Sequence, residues 1–182
     1  MRALRTRPGG EWSSSGEPAG ADRAVTALYL AHYRPMVRIA ALLVQDLAVA
    51  EEIVQDSFVA VHAAWRRLPD AEHALSYLHR SVVDRSRSVL RQHVVVDRFA
   101  PRLAPDPPGA DGETSIEVER SAFISALWTL PARQREVVVL RYFADLPVTQ
   151  VASATRISTG AVKVHAARAM SSLRAELGQA GD

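Results

Sequence analysis

The stretch "ISTGAVKVHAARAMSSLRAEL", residues 157–177, decides how the rest of the chain is read. Val162, Ala166, Ala169, Leu173 and Leu177 recur at helical spacing and form one apolar stripe that must pack on something. Ser158 stands where an N-cap belongs. The side opposite the stripe carries Lys163, Val164, Ala167, Arg168 and Arg174, with no acidic residue before Glu176. A helix whose first two outward turns are basic and free of acid suits a polyanion.

Working outward, a brief helix from Pro147 to about Thr155 precedes this one across a short turn. A short helix, a turn and a longer basic helix make the helix-turn-helix pattern, whose second helix enters the DNA major groove. The turn holds Arg156 where a glycine is common, since only glycine adopts a left-handed turn without strain. Before it, one helix ends near Leu130 and another starts at Pro131 and runs to about Ala144.

Further upstream, residues 100–115, "APRLAPDPPGADGETS", hold Pro101, Pro105, Pro107, Pro108, Gly109 and Gly112 and can neither continue a helix nor pair as a strand. They read as a flexible linker. The pattern predicts an all-α fold of two small helical domains: a disordered tail over 1–23, a first domain over 24–93, a linker over 94–117, and a helix-turn-helix domain over 118–178. In the first domain the spacing predicts three helices. One has Pro35 as its kink or break. The next carries the stripe Val54, Phe58, Val61, Trp65 and Leu68 opposite Glu51, Glu52, Gln55 and Asp56. The third buries Leu75, Leu78, Val82 and Val89 opposite Arg80, Asp84, Arg87 and Arg91, joined by Arg85. This is a second basic stripe. Trp65 and Trp128 sit in apolar stripes and read as core.

Composition narrows the chemistry. The net charge of +2 hides an uneven distribution: residues 94–119 hold two Arg against six acids, and residues 120–182 hold eight basic residues against four acids. Lys163 is the only lysine, and Arg is the better residue for bidentate phosphate and base contacts. The absence of cysteine removes disulfides, thiolate catalysis and Cys-bound zinc, and fits a cytoplasmic setting. No apolar run approaches a membrane span, and the N-terminus lacks a signal-peptide core. The six histidines show no HExxH spacing, so the expectation is no metal, no cofactor and no catalytic residue.

Four segments, "AEEIVQDSFVAVHAAW", "SYLHRSVVDRSRSVLR", "LPARQREVVVLRYFADL" and "STGAVKVHAARAMSSLR", occur in an order that resembles bacterial RNA polymerase sigma factors of the extracytoplasmic-function (ECF) group, actinobacterial-like in character. The resemblance covers residues 28–177. It implies a factor that joins core RNA polymerase and directs promoter-specific initiation. Glu52, Gln55 and Asp56 would grip the clamp of the largest subunit. Arg80, Asp84, Arg85, Arg87 and Arg91 would lie near the minus-ten strand, and Ser158, Lys163, Val164, His165 and Arg168 near the minus-thirty-five duplex. It also admits an anti-sigma factor as partner. Three positions depart from the group's pattern: Asp84 where Asn is frequent, Val164 where Ser is common, and Arg156 for the turn glycine. Two other readings are a helix-turn-helix regulator that leaves the polymerase clamp alone and an all-helical enzyme. The first gives the middle helices no purpose, and the second lacks a nucleophile, metal cluster or phosphate loop.

Overall fold

A computed structural model describes residues 18–96 and 115–179, and among them all regular structure is helical. Helices α1 (Pro18–Val44), α2 (Leu47–Ala64) and α3 (Ala71–Val96) pack on one another as the N-terminal unit. Helices α4 (Ser115–Thr129), α5 (Ala132–Val138), α6 (Val148–Thr155) and α7 (Thr159–Gln179) make the C-terminal unit, in which α4, α5 and α6 all rest on α7. The proline-rich stretch lies outside the described residues up to position 114, as do positions 1–17 of the expected tail. Helix α1 begins inside that expected tail, and α3 and α4 each extend three residues into the segment read as linker.

Local sequence accounts for the helix ends. Asp46 caps α2, its Oδ1 accepting from the Val49 N–H at 3.0 Å. Asp70 does the same for α3, accepting from the His73 N–H at 2.8 Å. Helix α1 runs through Pro35 without breaking. The missing N–H would have served the Ala31 carbonyl, and both residues are exposed, so water can take that carbonyl while Met36, Ile39 and Ala40 stay buried. The helix expected to reach Ala144 instead changes character after Val138 and continues as a π-helical turn, Val139–Phe143, beyond which Asp145 takes a left-handed φ of 50°.

The stripes read from the sequence are the cores of the two units. Leu28, Met36, Ile39 and Leu43 of α1 meet Ile53, Val54, Phe58 and Val61 of α2 and Leu78, Val82 and Val83 of α3. In the other unit Leu127, Val137, Val138, Leu140 and Val151 close over Val162, Ala169 and Leu173 of α7. Burying each large apolar side chain contributes roughly 1.5–3 kcal/mol. Trp65 and Trp128 differ from their reading as plain core: both are half-buried, Trp65 packing against the core and Trp128 carrying the Arg135 guanidinium 3.9 Å from its ring centroid.

The two units also touch. Helix α3 lies along α6, and α1 reaches the π-helical turn.

Candidate nucleic-acid interface

Helix α7 is set by the turn before it. Helix α6 ends at Thr155, and α7 starts at Thr159 after a turn of three residues. Arg156 takes the left-handed conformation (φ 58°, ψ 43°), and the Ile157 N–H reaches back to the Ala152 carbonyl at 3.2 Å, a closure of the Schellman type. Ser158 then caps α7 by accepting from the Ala161 N–H at 3.1 Å. With Val162, Ala169 and Leu173 buried, Lys163, Val164 and Arg168 face outward. Val164 is 48% exposed, which is unusual for a valine and gives the face one apolar contact point among its charges. His165 is half-buried, with an Nδ1 shielded from solvent and without a hydrogen-bond partner.

On α2, Glu51, Glu52, Gln55 and Asp56 form an exposed acidic and amide face opposite Val54, Phe58 and Val61. Asp56 is tied to α3: its Oδ2 accepts from Arg85 Nη1 at 3.1 Å, and its carbonyl accepts from Arg85 Nη2 at 3.2 Å. The surface expected to hold polymerase and the one expected to hold the minus-ten strand are therefore contiguous. Glu52, Asp56, Asp84, Arg85 and Arg91 share one open cleft of about 480 Å³.

The arginine stripe on α3 is divided by the fold. Arg91 is exposed, and Arg85 turns to α2. Arg80, Asp84 and Arg87 turn to the C-terminal unit. Arg80 Nη2 donates to Ser153 Oγ at 2.8 Å. Arg87 makes a two-pronged pair with Glu136, Nε to Oε1 at 2.6 Å and Nη2 to Oε2 at 2.7 Å, and also donates to the Thr155 carbonyl at 3.1 Å. Burial works against the charge on Arg87, but its bonds to Glu136 outweigh that and leave its pKa above the usual value. Asp84 Oδ2 accepts from Arg156 Nη2 at 2.6 Å.

Residues that periodicity does not flag complete this arrangement. Glu136 and Arg135 are buried, and Arg133 reaches both Glu136 Oε2 at 3.3 Å and the Thr155 carbonyl at 3.2 Å. One signal was available: Glu136 is the only acid between Arg120 and Ala144, and it sits three residues after Arg133. Among the described residues no group of His, Asp or Glu could hold a metal ion, and no helix is long and apolar enough to cross a membrane.

Comparison with known proteins agrees with this organisation. The family model for sigma-70 region 2 matches residues 28–94, and that for sigma-70 region 4 matches residues 120–173. The chain is 30% identical over 142 residues to the RNA polymerase sigma-E factor of Streptomyces avermitilis, covering 78% of each. It is 30% identical over 164 residues to the ECF RNA polymerase sigma factor SigM of Mycobacterium tuberculosis, covering 88% of this chain and 80% of that one. The fold is similar to that of the sigma factor RpoE of Bartonella quintana, solved in complex with the anti-sigma factor NepR, with a TM-score of 0.68 at 20% identity over 84% of this chain and 96% of that chain. The region 2 match gives the middle helices the purpose that a stand-alone DNA-binding regulator would deny them. The chain belongs to the ECF group of RNA polymerase sigma factors, the initiation factors that direct core polymerase to specific promoters.

Proposed function

We propose that this sigma factor divides its work among three surfaces. Glu52, Gln55 and Asp56 of α2 take the polymerase clamp. Arg80, Asp84, Arg85, Arg87 and Arg91 of α3 take the minus-ten strand. Ser158, Lys163, Val164, His165 and Arg168 of α7 take the minus-thirty-five duplex. The factor acts in the cytoplasm without turnover of its own, and an anti-sigma protein is a further partner, as one is for the Bartonella factor.

The observation that carries this reading is the outward face of α7, where Lys163, Val164 and Arg168 stand exposed after a capped three-residue turn. Phosphate contacts give affinity that falls with salt, whereas base contacts give preference. Lys163→Ala is expected to weaken promoter binding by the polymerase-bound factor about equally on all sequences and to lower the salt slope by about 1. Val164→Ser, which keeps the charge, is expected to move base preference at one position. Run-off transcription with core polymerase on a randomised upstream library, paired with binding at several salt concentrations, reads both effects. Unchanged slope and unchanged preference would make this helix ordinary solvated surface.

The α2 surface has its own test. Asp56 is a poor single probe because its removal also releases Arg85. Glu52→Ala with Gln55→Ala alters only exposed side chains and is expected to weaken core binding with helical content unchanged. Unaltered capture of core polymerase by this double variant would remove the assignment.

A further inference from the structure

Two of the three positions that depart from the group's pattern, Asp84 and Arg156, lie 72 residues apart and meet at 2.6 Å across the two units. Arg156 holds a left-handed backbone, φ 58°, that glycine adopts without strain and a residue with a β-carbon does not. Asp84 places a negative charge on a face otherwise lined with arginine, where a nucleic-acid strand would be repelled. Asp84 also accepts from Arg87 of its own helix at 3.4 Å, and the shorter contact across the units gives Arg156 a carboxylate and Asp84 a second cation. Beside them the Arg87–Glu136 pair is largely enclosed, its side chains 14% and 7% exposed, and Arg80 is bound to Ser153. Three of the five α3 residues assigned to the minus-ten strand are thus held by the C-terminal unit.

We propose that Asp84–Arg156 and Arg87–Glu136 form an intramolecular latch that folds α3 against α6, covers the minus-ten surface in the free chain, and must open when the factor joins polymerase. The covered surface has its meaning from the sigma-factor reading above, but the latch itself does not depend on it. An enclosed ion pair strongly penalises loss of one partner, because the other is left without compensation. Separation of the units escapes that penalty for Arg87 by returning it to water, while Glu136 keeps Arg133. The contact therefore favours two discrete arrangements, closed and apart.

The chain has no cysteine, so cysteines introduced at Ala63 of α2 and Ser172 of α7, both exposed, can carry a pair of spin labels on the full chain. Pulsed electron resonance then reads the distance between the units. The parent is expected to give one narrow distribution. Asp84→Arg, which sets like charge against Arg156 and against Arg87 of the same helix, should broaden and lengthen it, and Asp84→Arg combined with Arg156→Asp, which restores the pair across the units, should bring the narrow distribution back. Core polymerase added to the parent should shift it to the open form. Far-UV circular dichroism reports folding, and if Asp84→Arg loses helicity, Asp84→Asn takes its place as the variant that removes the charge at constant size. The latch is overturned by a parent already as broad as the charge-reversed variant, by a narrow peak that survives charge removal, by a double reversal that does not recover it, or by polymerase binding that leaves it unmoved. A parent that fails to bind core polymerase while the charge variants still open and close the distance would instead sink the sigma-factor assignment of these surfaces.

Discussion

Leu78→Ala is expected to destabilise the N-terminal unit by about 2–5 kcal/mol, a large part of what a unit of this size has. Leu78 is fully buried where α3 meets α1 and α2, among Val54, Val61 and Val82. Truncation removes apolar contact and leaves a hole that three helices cannot collapse around without moving their other stripes. The functional loss should exceed that of any surface change, because the same helix carries Arg80, Asp84, Arg85, Arg87 and Arg91 and its docking on α2 sets the Arg85–Asp56 bond. Urea unfolding followed by circular dichroism measures the first effect and core-polymerase binding the second. Leu78→Met, which conserves volume, should cost less than about 1.5 kcal/mol. A Leu78→Ala variant within about 1 kcal/mol of the parent would mean that the packing around α3 is looser than described.

The second large effect concerns pH. His79 is buried, with its Nδ1 2.9 Å from the Leu75 carbonyl, and burial pushes its imidazole down to about 4, against the opposing pull of that carbonyl. His79 shares a cavity of about 350 Å³ with His32 and Arg38 of α1 and with Phe143 and Leu146 of the C-terminal unit, so cations line the site and no carboxylate does. The folded chain disfavours the protonated form, while the unfolded chain takes its proton near pH 6.5. The stability that neutral His79 allows is therefore intact above about pH 6.5 and lost as pH falls toward 4. By pH 4.5 the loss reaches about 2–3 kcal/mol. Burial also lowers the His32 pKa, which adds in the same direction. His79→Leu should flatten this part of the profile, and the difference between parent and variant unfolding free energies at pH 7 and pH 4.5 separates His79 from the carboxylates that titrate nearby. Parallel profiles would show that water reaches the imidazole in the folded chain.

Much of this protein could be read from local spacing, because helix formation and capping are settled by residues three and four positions apart. The stripe of α7, its Ser158 cap, the three-residue turn and the run Val54, Phe58 and Val61 all follow from that period, and they are enough to make the chain all-helical with a helix-turn-helix at its end. Periodicity also separates the outward Lys163, Val164 and Arg168 from the inward Val162 and Ala169. It cannot say what lies against an outward face. Arg80, Asp84 and Arg87 read as a basic stripe, yet the tertiary structure puts α6 and Glu136 on them, since which helix docks there is decided by shape and charge between residues 49 to 73 positions apart. Pro35 shows the same division: the missing N–H is a local fact, but whether it breaks α1 depends on which side of the helix faces water. Sequence thus determined the helices and their faces, and only the packing of one unit on the other decided that Asp84 and Arg156 are partners, because a contact between distant segments exists only once both have been placed by their separate cores.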